Sequence, residues 1–280
     1  MTDLAAIFKA ENIPFIEHGD WRSRVRPGTF NPEGLIVHHT ASTGLEASLN
    51  VVTNGRPDLN GPLCNVFIGG GQLYLISAGR ANHAGAGSST VLSDLRADKA
   101  PTGTARDRGL EDDVSGGNGL FVGFEVLSPG TGAILDQPTW ALTVRASAAI
   151  VKHLGHPSPS RAIGHAEWTK RKIDPEFGHI AGGAHQEMNS IRAAMAKVLA
   201  PRRTYGNGPL GPVPAWYVTP VNYGDAHVSI RNAKHALGLP VDEKFDLALW
   251  AELRRVRHAR GWNLDERRLN ERDARAIGPG

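Results

Sequence analysis

The sequence predicts an α/β fold, with a central mixed β-sheet flanked by helices and a small C-terminal helical domain. Three observations carry this expectation. Short apolar runs bounded by Gly or Pro recur between residues 30 and 130, and two longer segments beyond them place apolar side chains at helical spacing. A Pro- and Gly-rich stretch, residues 201–220, then interrupts every period before a segment with helical patterning of its own. The expected domains are therefore 1–200, a linker at 201–220 and 221–280.

Residues 4–9 read as a first helix. Strands are expected at 35–37, 66–68, 73–76 and 120–127, short apolar runs several of which are bounded by Gly or Pro and which together suggest a central sheet. Residues 138–154 carry Leu142, Ala146, Ile150 and Leu154 on one stripe, with Pro138 in the first turn and Gly155 as the stop. Residues 184–199 repeat the pattern with Met188, Ile191, Met195 and Leu199, after a break at Gly182 and Gly183. The long stretch 86–119 has little period and reads as a loop, either functional or disordered. After the linker, helices are expected at 228–237 and 245–260, the second with Leu249, Leu253 and Val256 on one face.

A chain of 280 residues with 40% hydrophobic and 21% charged residues can bury a real core, which excludes an intrinsically disordered protein. No apolar run approaches the length of a membrane span, so no membrane is expected as a partner. Asp3 stands where a secretory signal would begin with basic residues, which predicts no signal peptide and a cytoplasmic location. Cys64 is the single cysteine, so no internal disulfide and no four-cysteine zinc site can form. Any metal must then be held by His and carboxylates. Residues 201–280 carry a net charge of +4 and the remainder −1, which points the C-terminal domain toward a polyanion. No recognition-helix pattern with interleaved aromatics supports nucleic acid as that partner.

Of the twelve histidines, the informative ones sit at element ends: His38 and His39 in GLIVHHT, His83 in RANHAG and His165 in IGHAEWTKRKIDP. His38 ends a strand, where a sheet holds an imidazole rigidly. His165 and Asp174 cannot both ligate from one helix, because nine positions at about 100° each put them on opposite faces. A turn must lie between them. Lys172 and Asp174 are two apart and project to one side of an extended stretch, with Pro175 favouring that conformation at Asp174. Two imidazoles and one carboxylate supply three of zinc's four positions and leave one for water, the pattern of a hydrolytic site. The alternative is a surface Lys–Asp pair beside a buried His.

Over residues 30–200 these features resemble the zinc-dependent N-acetylmuramoyl-L-alanine amidases of the amidase-2 or peptidoglycan-recognition-protein family, of the phage endolysin type. The shared features are VHHTAS after a strand, the HAG turn, the G-x-E strand in VGFEVLS, and a late H-x6-K-x-D-P, in the family's order. The resemblance implies that His38, His165 and Asp174 bind Zn2+, that Glu125 is the acid/base and that Lys172 lies near the scissile carbonyl. His39 is the rival to His38, since adjacent strand residues point to opposite sides. Some family members carry a Tyr on an early strand, where PLCNVFI here offers Cys64, read as a small buried hydrophobe. His83 either lines the substrate groove or fixes its turn. Asn118 is a further groove candidate, as are the 86–119 stretch and Trp168, for which core or loop packing is the alternative.

The implied activity is cleavage of the amide between N-acetylmuramic acid and the L-alanine of the stem peptide in bacterial peptidoglycan, by a monomer released from the host cytoplasm at lysis to reach the wall. The C-terminal domain resembles three-helix wall-binding modules and would hold an acidic secondary wall polymer. The alternatives are a non-catalytic peptidoglycan-recognition module and a zinc peptidase acting on cross-bridges.

Overall fold

Strands with apolar side chains on both faces need cover on both, and the helices of residues 1–200 supply it. The computed structural model describes residues 3–130, 132, 134–178 and 181–200, and beyond these residues 214, 221–222, 228–237, 239, 245, 247–260, 262, 268–269 and 271–277. The chain divides into two compact units, Met1–Ala200 and Pro201–Gly280. Apart from Pro214, the linker expected at 201–220 lies outside the described residues.

The strands of the first unit are β1 (Ile16–Glu17), β2 (Gly34–His39), β3 (Gly55–Arg56), β4 (Leu59–Asn60), β5 (Val66–Gly69), β6 (Gln72–Leu75), β7 (Phe121–Val126) and β8 (Ala162–Gly164). Six of them form one mixed sheet in the order β1-β6-β5-β7-β2-β8, while β3 and β4 pair as a separate hairpin. The β5–β6 pair is antiparallel and the other pairs of the large sheet are parallel.

The helices are α1 (Leu4–Ala10), α2 (Leu45–Asn54), α3 (Ser89–Arg96), α4 (Gly117–Leu120), α5 (Gln137–His153), α6 (His165–Trp168) and α7 (Gly183–Leu199). Side chains of α1, α5 and α7 bury against Leu35, Val37, Val122, Phe124 and Val126 on one face of the sheet. Ile36 and Phe121 pack on the other face against Val91, Leu92 and Leu95 of α3 and against Trp168. Leu49 and Val52 of α2 cover Phe67 and Tyr74. Each large side chain buried in this way stabilises the fold by roughly 1.5–3 kcal/mol.

Local signals set the helix ends. Asp3 accepts the Ala6 N–H at the start of α1, and Asp136 accepts the Thr139 N–H at the start of α5, beside Pro138. Helix α5 stops before Gly155, whose φ of +83° suits a residue without a side chain. The 86–119 stretch departs from the expectation of a loop. Ser88 caps α3, whose Val91, Leu92 and Leu95 are buried, and Gly87 pairs with Val114 in an isolated bridge. An eight-residue helix is too short for its periodicity to stand out from its surroundings.

Alternation along β2 and β7 positions the site. Leu35 and Val37 face α5, so Ile36 and His38 face the opposite way. Val122, Phe124 and Val126 likewise leave Phe121, Gly123 and Glu125 on the other face.

In the second unit, β9 (Val221–Asn222) pairs antiparallel with β10 (Arg268–Leu269), accompanied by α8 (Val228–Leu237), α9 (Leu247–Ala259) and α10 (Glu271–Ile277). Ile230, Ala233, Phe245, Leu249, Leu253, Val256 and Leu269 form its core. Arg257 donates to Asp273 through Nε at 2.8 Å and through Nη2 at 2.5 Å, and both side chains are buried.

Candidate metal centre and active site

His38 is the penultimate residue of β2 and lies opposite Glu125 in the parallel β2–β7 register. His165 opens α6, which ends at Trp168, and the chain then turns back so that the Ala166 N–H donates to the Asp174 carbonyl at 2.7 Å. A turn thus separates His165 from Asp174 and returns both side chains to one place. His38 Nδ1 lies 2.9 Å from His165 Nδ1 and 3.1 Å from Asp174 Oδ2, and His165 Nδ1 lies 3.2 Å from the same oxygen. All three side chains are buried.

The electrostatics of this triangle fit a cation. Burial, reinforced by the neighbouring His38, holds the His165 imidazole down to about 4. Burial opposes ionisation of Asp174, but the adjoining His165 and His38 rings outweigh it and keep the carboxyl well below the usual carboxylate range. Among the described residues no Lys or Arg lies within ion-pair distance of Asp174. A buried carboxylate with two converging imidazole nitrogens leaves lone pairs directed at one point, which costs free energy unless a cation takes them. A tetrahedral ion with ligands at 2.0–2.1 Å separates its donors by about 3.3 Å, close to these three edges. The residues present fit zinc.

His39 takes no part in the triangle. Its Nδ1 accepts the Glu176 N–H at 2.9 Å, and its ring occupies the space where a side chain on Gly130 would stand. The alternation of β2 therefore assigns the triangle's imidazole to His38.

Glu125 reaches the same groove as the triangle, yet its Oε2 is sealed from solvent and has no hydrogen-bond partner among the described residues. Burial raises its carboxyl to about 7, with Asp174 adding to the rise while His38 and Lys172 oppose it. An enclosed acceptor without a donor costs about 1–3 kcal/mol, a price retained where chemistry uses the group. Lys172 is exposed at the groove and has no carboxylate within ion-pair distance among the described residues. The groove encloses about 530 Å³, a volume suited to a peptide-sized ligand. One wall is apolar, from Ala47, Val51, Val52, Leu59 and Leu63, and Arg56, Arg171 and Lys172 stand among its polar lining.

The structure takes Asn118 out of the groove and puts Trp168 in the core, its alternative placement. Asn118 Oδ1 accepts three backbone N–H groups, from His83, Ala84 and Gly85 at 3.0, 2.8 and 2.9 Å, so the carboxamide holds the HAG turn instead of facing the groove. Trp168 is fully buried, edge-on to Phe121, and packs so closely on Gly87 that an added Cβ there would lie 2.0 Å from the indole. The 86–119 stretch contributes no groove-lining residue. It buttresses the site through Asp112, which accepts from Thr169 Oγ1 at 2.7 Å and Arg171 Nε at 2.8 Å. His83 borders the groove, with its Nδ1 3.3 Å from His38 Nε2. Cys64 is fully buried, and burial pushes its thiol well above the ordinary value, so it packs as a small hydrophobe.

Sequence reasoning missed Glu167. Its Oε2 accepts the Gly164 N–H at 2.9 Å, which satisfies the backbone at the start of α6, and the carboxylate is fully buried against Arg192 and His185. An acidic residue three positions after a helix start was the available signal.

The family model described as N-acetylmuramoyl-L-alanine amidase matches residues 28–177. Among solved structures, the chain is similar to the endolysin N-acetylmuramoyl-L-alanine amidase LysCS from Clostridium intestinale URNW, with 12% identity over 56% of this chain and 84% of that one and a TM-score of 0.37. It is similar to AmpDh3 from Pseudomonas aeruginosa, with 15% identity over 95% and 96% of the two chains and a TM-score of 0.40. It is also similar to AmiD from E. coli, solved with anhydro-N-acetylmuramic acid-L-Ala-D-γ-Glu-L-Lys, with 14% identity over 94% of each chain and a TM-score of 0.39. No curated protein sequence matches the chain.

Proposed function

The chain belongs to the amidase-2 family of N-acetylmuramoyl-L-alanine amidases, and from that premise we propose that it is an endolysin-type peptidoglycan hydrolase that uses one zinc ion to cleave the amide between N-acetylmuramic acid and the L-alanine of the stem peptide. The observation that carries this reading is the buried triangle of His38 Nδ1, His165 Nδ1 and Asp174 Oδ2, with edges of 2.9–3.2 Å, beside Glu125, whose Oε2 has no hydrogen-bond partner among the described residues. His38, His165 and Asp174 would hold the ion, which when bound supplies a Lewis acid for the amide carbonyl and lowers the pKa of water toward neutrality.

The chain's own groups perform the remaining work. Glu125 takes the proton of the attacking water and delivers it to the departing L-alanine nitrogen, a task for which a pKa of about 7 is well matched. Lys172 places its ammonium where negative charge develops on the carbonyl oxygen. The apolar wall from α2 and Leu59 keeps bulk water from the peptide and strengthens both interactions. The second unit is assigned to holding an acidic wall polymer, which raises the local substrate concentration. Among the described residues, no helix is long and apolar enough to cross a membrane.

Mass analysis of digested peptidoglycan tests the bond. Stem peptides with a free L-alanine amine support the amidase. Cut cross-bridges with intact lactyl–alanine junctions would replace it with a peptidase, and an undigested wall that still binds the protein would leave a recognition module. Chelation should abolish cleavage and added Zn2+ should restore it.

A further inference from the structure

The HAG turn begins with His83, whose Nδ1 faces His38 Nε2 at 3.3 Å, with the two rings edge-on at 82°. This contact lies on the side of His38 opposite the nitrogen that meets His165 and Asp174. The His83 Nε2 is sealed from solvent, so that nitrogen is not available to a substrate in the groove.

The surroundings are built to hold this ring in place. A Cβ on Gly123 would lie 2.7 Å from the His83 ring, so the glycine of G-x-E leaves the space that the imidazole fills. Gly123 is itself pinned, because its N–H donates to Asn65 Oδ1 at 2.8 Å and its carbonyl accepts the Asn65 N–H at 2.9 Å. The backbone of His83 is pinned in turn by Asn118. Two sequence features far apart in the chain, the HAG turn and the G-x-E strand, thus meet as a ring and its seat.

We propose that His83 is a positioning residue for His38, accepting the His38 Nε2–H on its own Nδ1 and so fixing the tautomer that directs the His38 Nδ1 lone pair at His165 and Asp174. The inference rests on the zinc reading above. A neutral imidazole carries one N–H, so a lone pair on His38 Nδ1 requires the proton on Nε2, and on so buried a ring that proton needs an acceptor. Among the described residues, the atom that meets it is His83 Nδ1, which accepts when unprotonated. Partners of this kind orient a metal-binding imidazole and raise its affinity for the ion.

The test measures Zn2+ affinity by competition with a chromophoric chelator, for the full-length wild type, His83→Ala and His83→Gln. His83→Ala should bind Zn2+ about 10–100-fold more weakly, and His83→Gln, whose side-chain carbonyl can accept, should recover most of the loss. Affinity in a folded His83→Ala within about twofold of wild type overturns the proposal while leaving the zinc reading intact. A wild type that takes up no Zn2+ overturns both. Should His83→Ala fail to fold, long-range 15N NMR of the zinc-loaded wild type decides. A proton on His38 Nε2 supports the assignment, and its absence overturns it.

Discussion

Arg192 grips Glu167 in a fork, with Nη1 donating to Oε2 at 2.9 Å and Nη2 to Oε1 at 2.8 Å, and neither side chain is appreciably exposed. The carboxylate in turn holds the Gly164 N–H, so the pair fixes the residue before His165. Arg192→Met should leave the buried Glu167 charge without its guanidinium, with His185 and the Gly164 N–H still in contact, and cost about 3–5 kcal/mol in urea denaturation. The double variant Arg192→Met/Glu167→Leu should lose less than the single, because it removes the uncompensated charge. A single variant as stable as wild type would contradict this account.

Glu125→Gln keeps the shape of the side chain and removes its proton-transfer capacity. It should lower kcat on muropeptide about 10²–10⁴-fold while leaving bound Zn2+, measured by elemental analysis, unchanged. In the wild type, kcat/KM should climb as pH rises through about 7, where the Glu125 carboxyl ionises to its basic form. That limb should disappear in Glu125→Gln, and its persistence would assign the titration to another group.

The same residue makes a prediction for stability. The folded Glu125 carboxyl titrates at about 7, above its ordinary value of 4.5. Between these two values the unfolded chain has released the proton and the folded chain retains it, so stability falls as pH rises across that window. Metal-free Glu125→Gln should therefore match the metal-free wild type more closely at pH 4 than at pH 8, where the substitution should be relatively stabilising in thermal unfolding. The opposite ordering would show that the carboxylate is stabilised by its surroundings.

Lys172 is exposed, so replacing it should cost little stability. Lys172→Met should reduce kcat about 10²–10³-fold, as loss of one oxyanion-stabilising group does, with Zn2+ content unaffected. Unchanged kcat with raised KM would make the ammonium a substrate anchor instead.

The strands that carry the site were legible because their apolar runs are long and end in the residues of interest, as Leu35 to Val37 do before His38. The separation of His165 from Asp174 by a turn followed from helical geometry alone. Alternation could state that His38 and His39 face opposite ways, but only packing against α5 shows which side is which. Asn118 was misread because its three bonds reach backbone more than thirty residues away, a pairing that leaves no local period. Helix α3 was hidden by its shortness among Gly, Ser and Asp, and Glu167 by a partner, Arg192, on a different helix.

The second unit exposes Arg254, Arg255 and Arg272, and its arginines gather on aromatic rings, with Arg254 5.1 Å from the Trp250 centroid and Arg272 3.8 Å from that of Trp262. Guanidinium groups held over indoles lose less freedom on meeting an anion than free side chains do. If this unit holds an acidic wall polymer, Arg254→Glu/Arg272→Glu should weaken sedimentation of the full-length protein with purified walls, and most strongly at low salt, where screening is least. Hydrolysis of soluble muropeptide should be unchanged, since these residues lie outside the unit that carries His38 and Asp174. Wall binding that is insensitive to both charge reversal and salt would remove electrostatics as the source of attachment, and would turn attention to neutral glycan or peptide contacts.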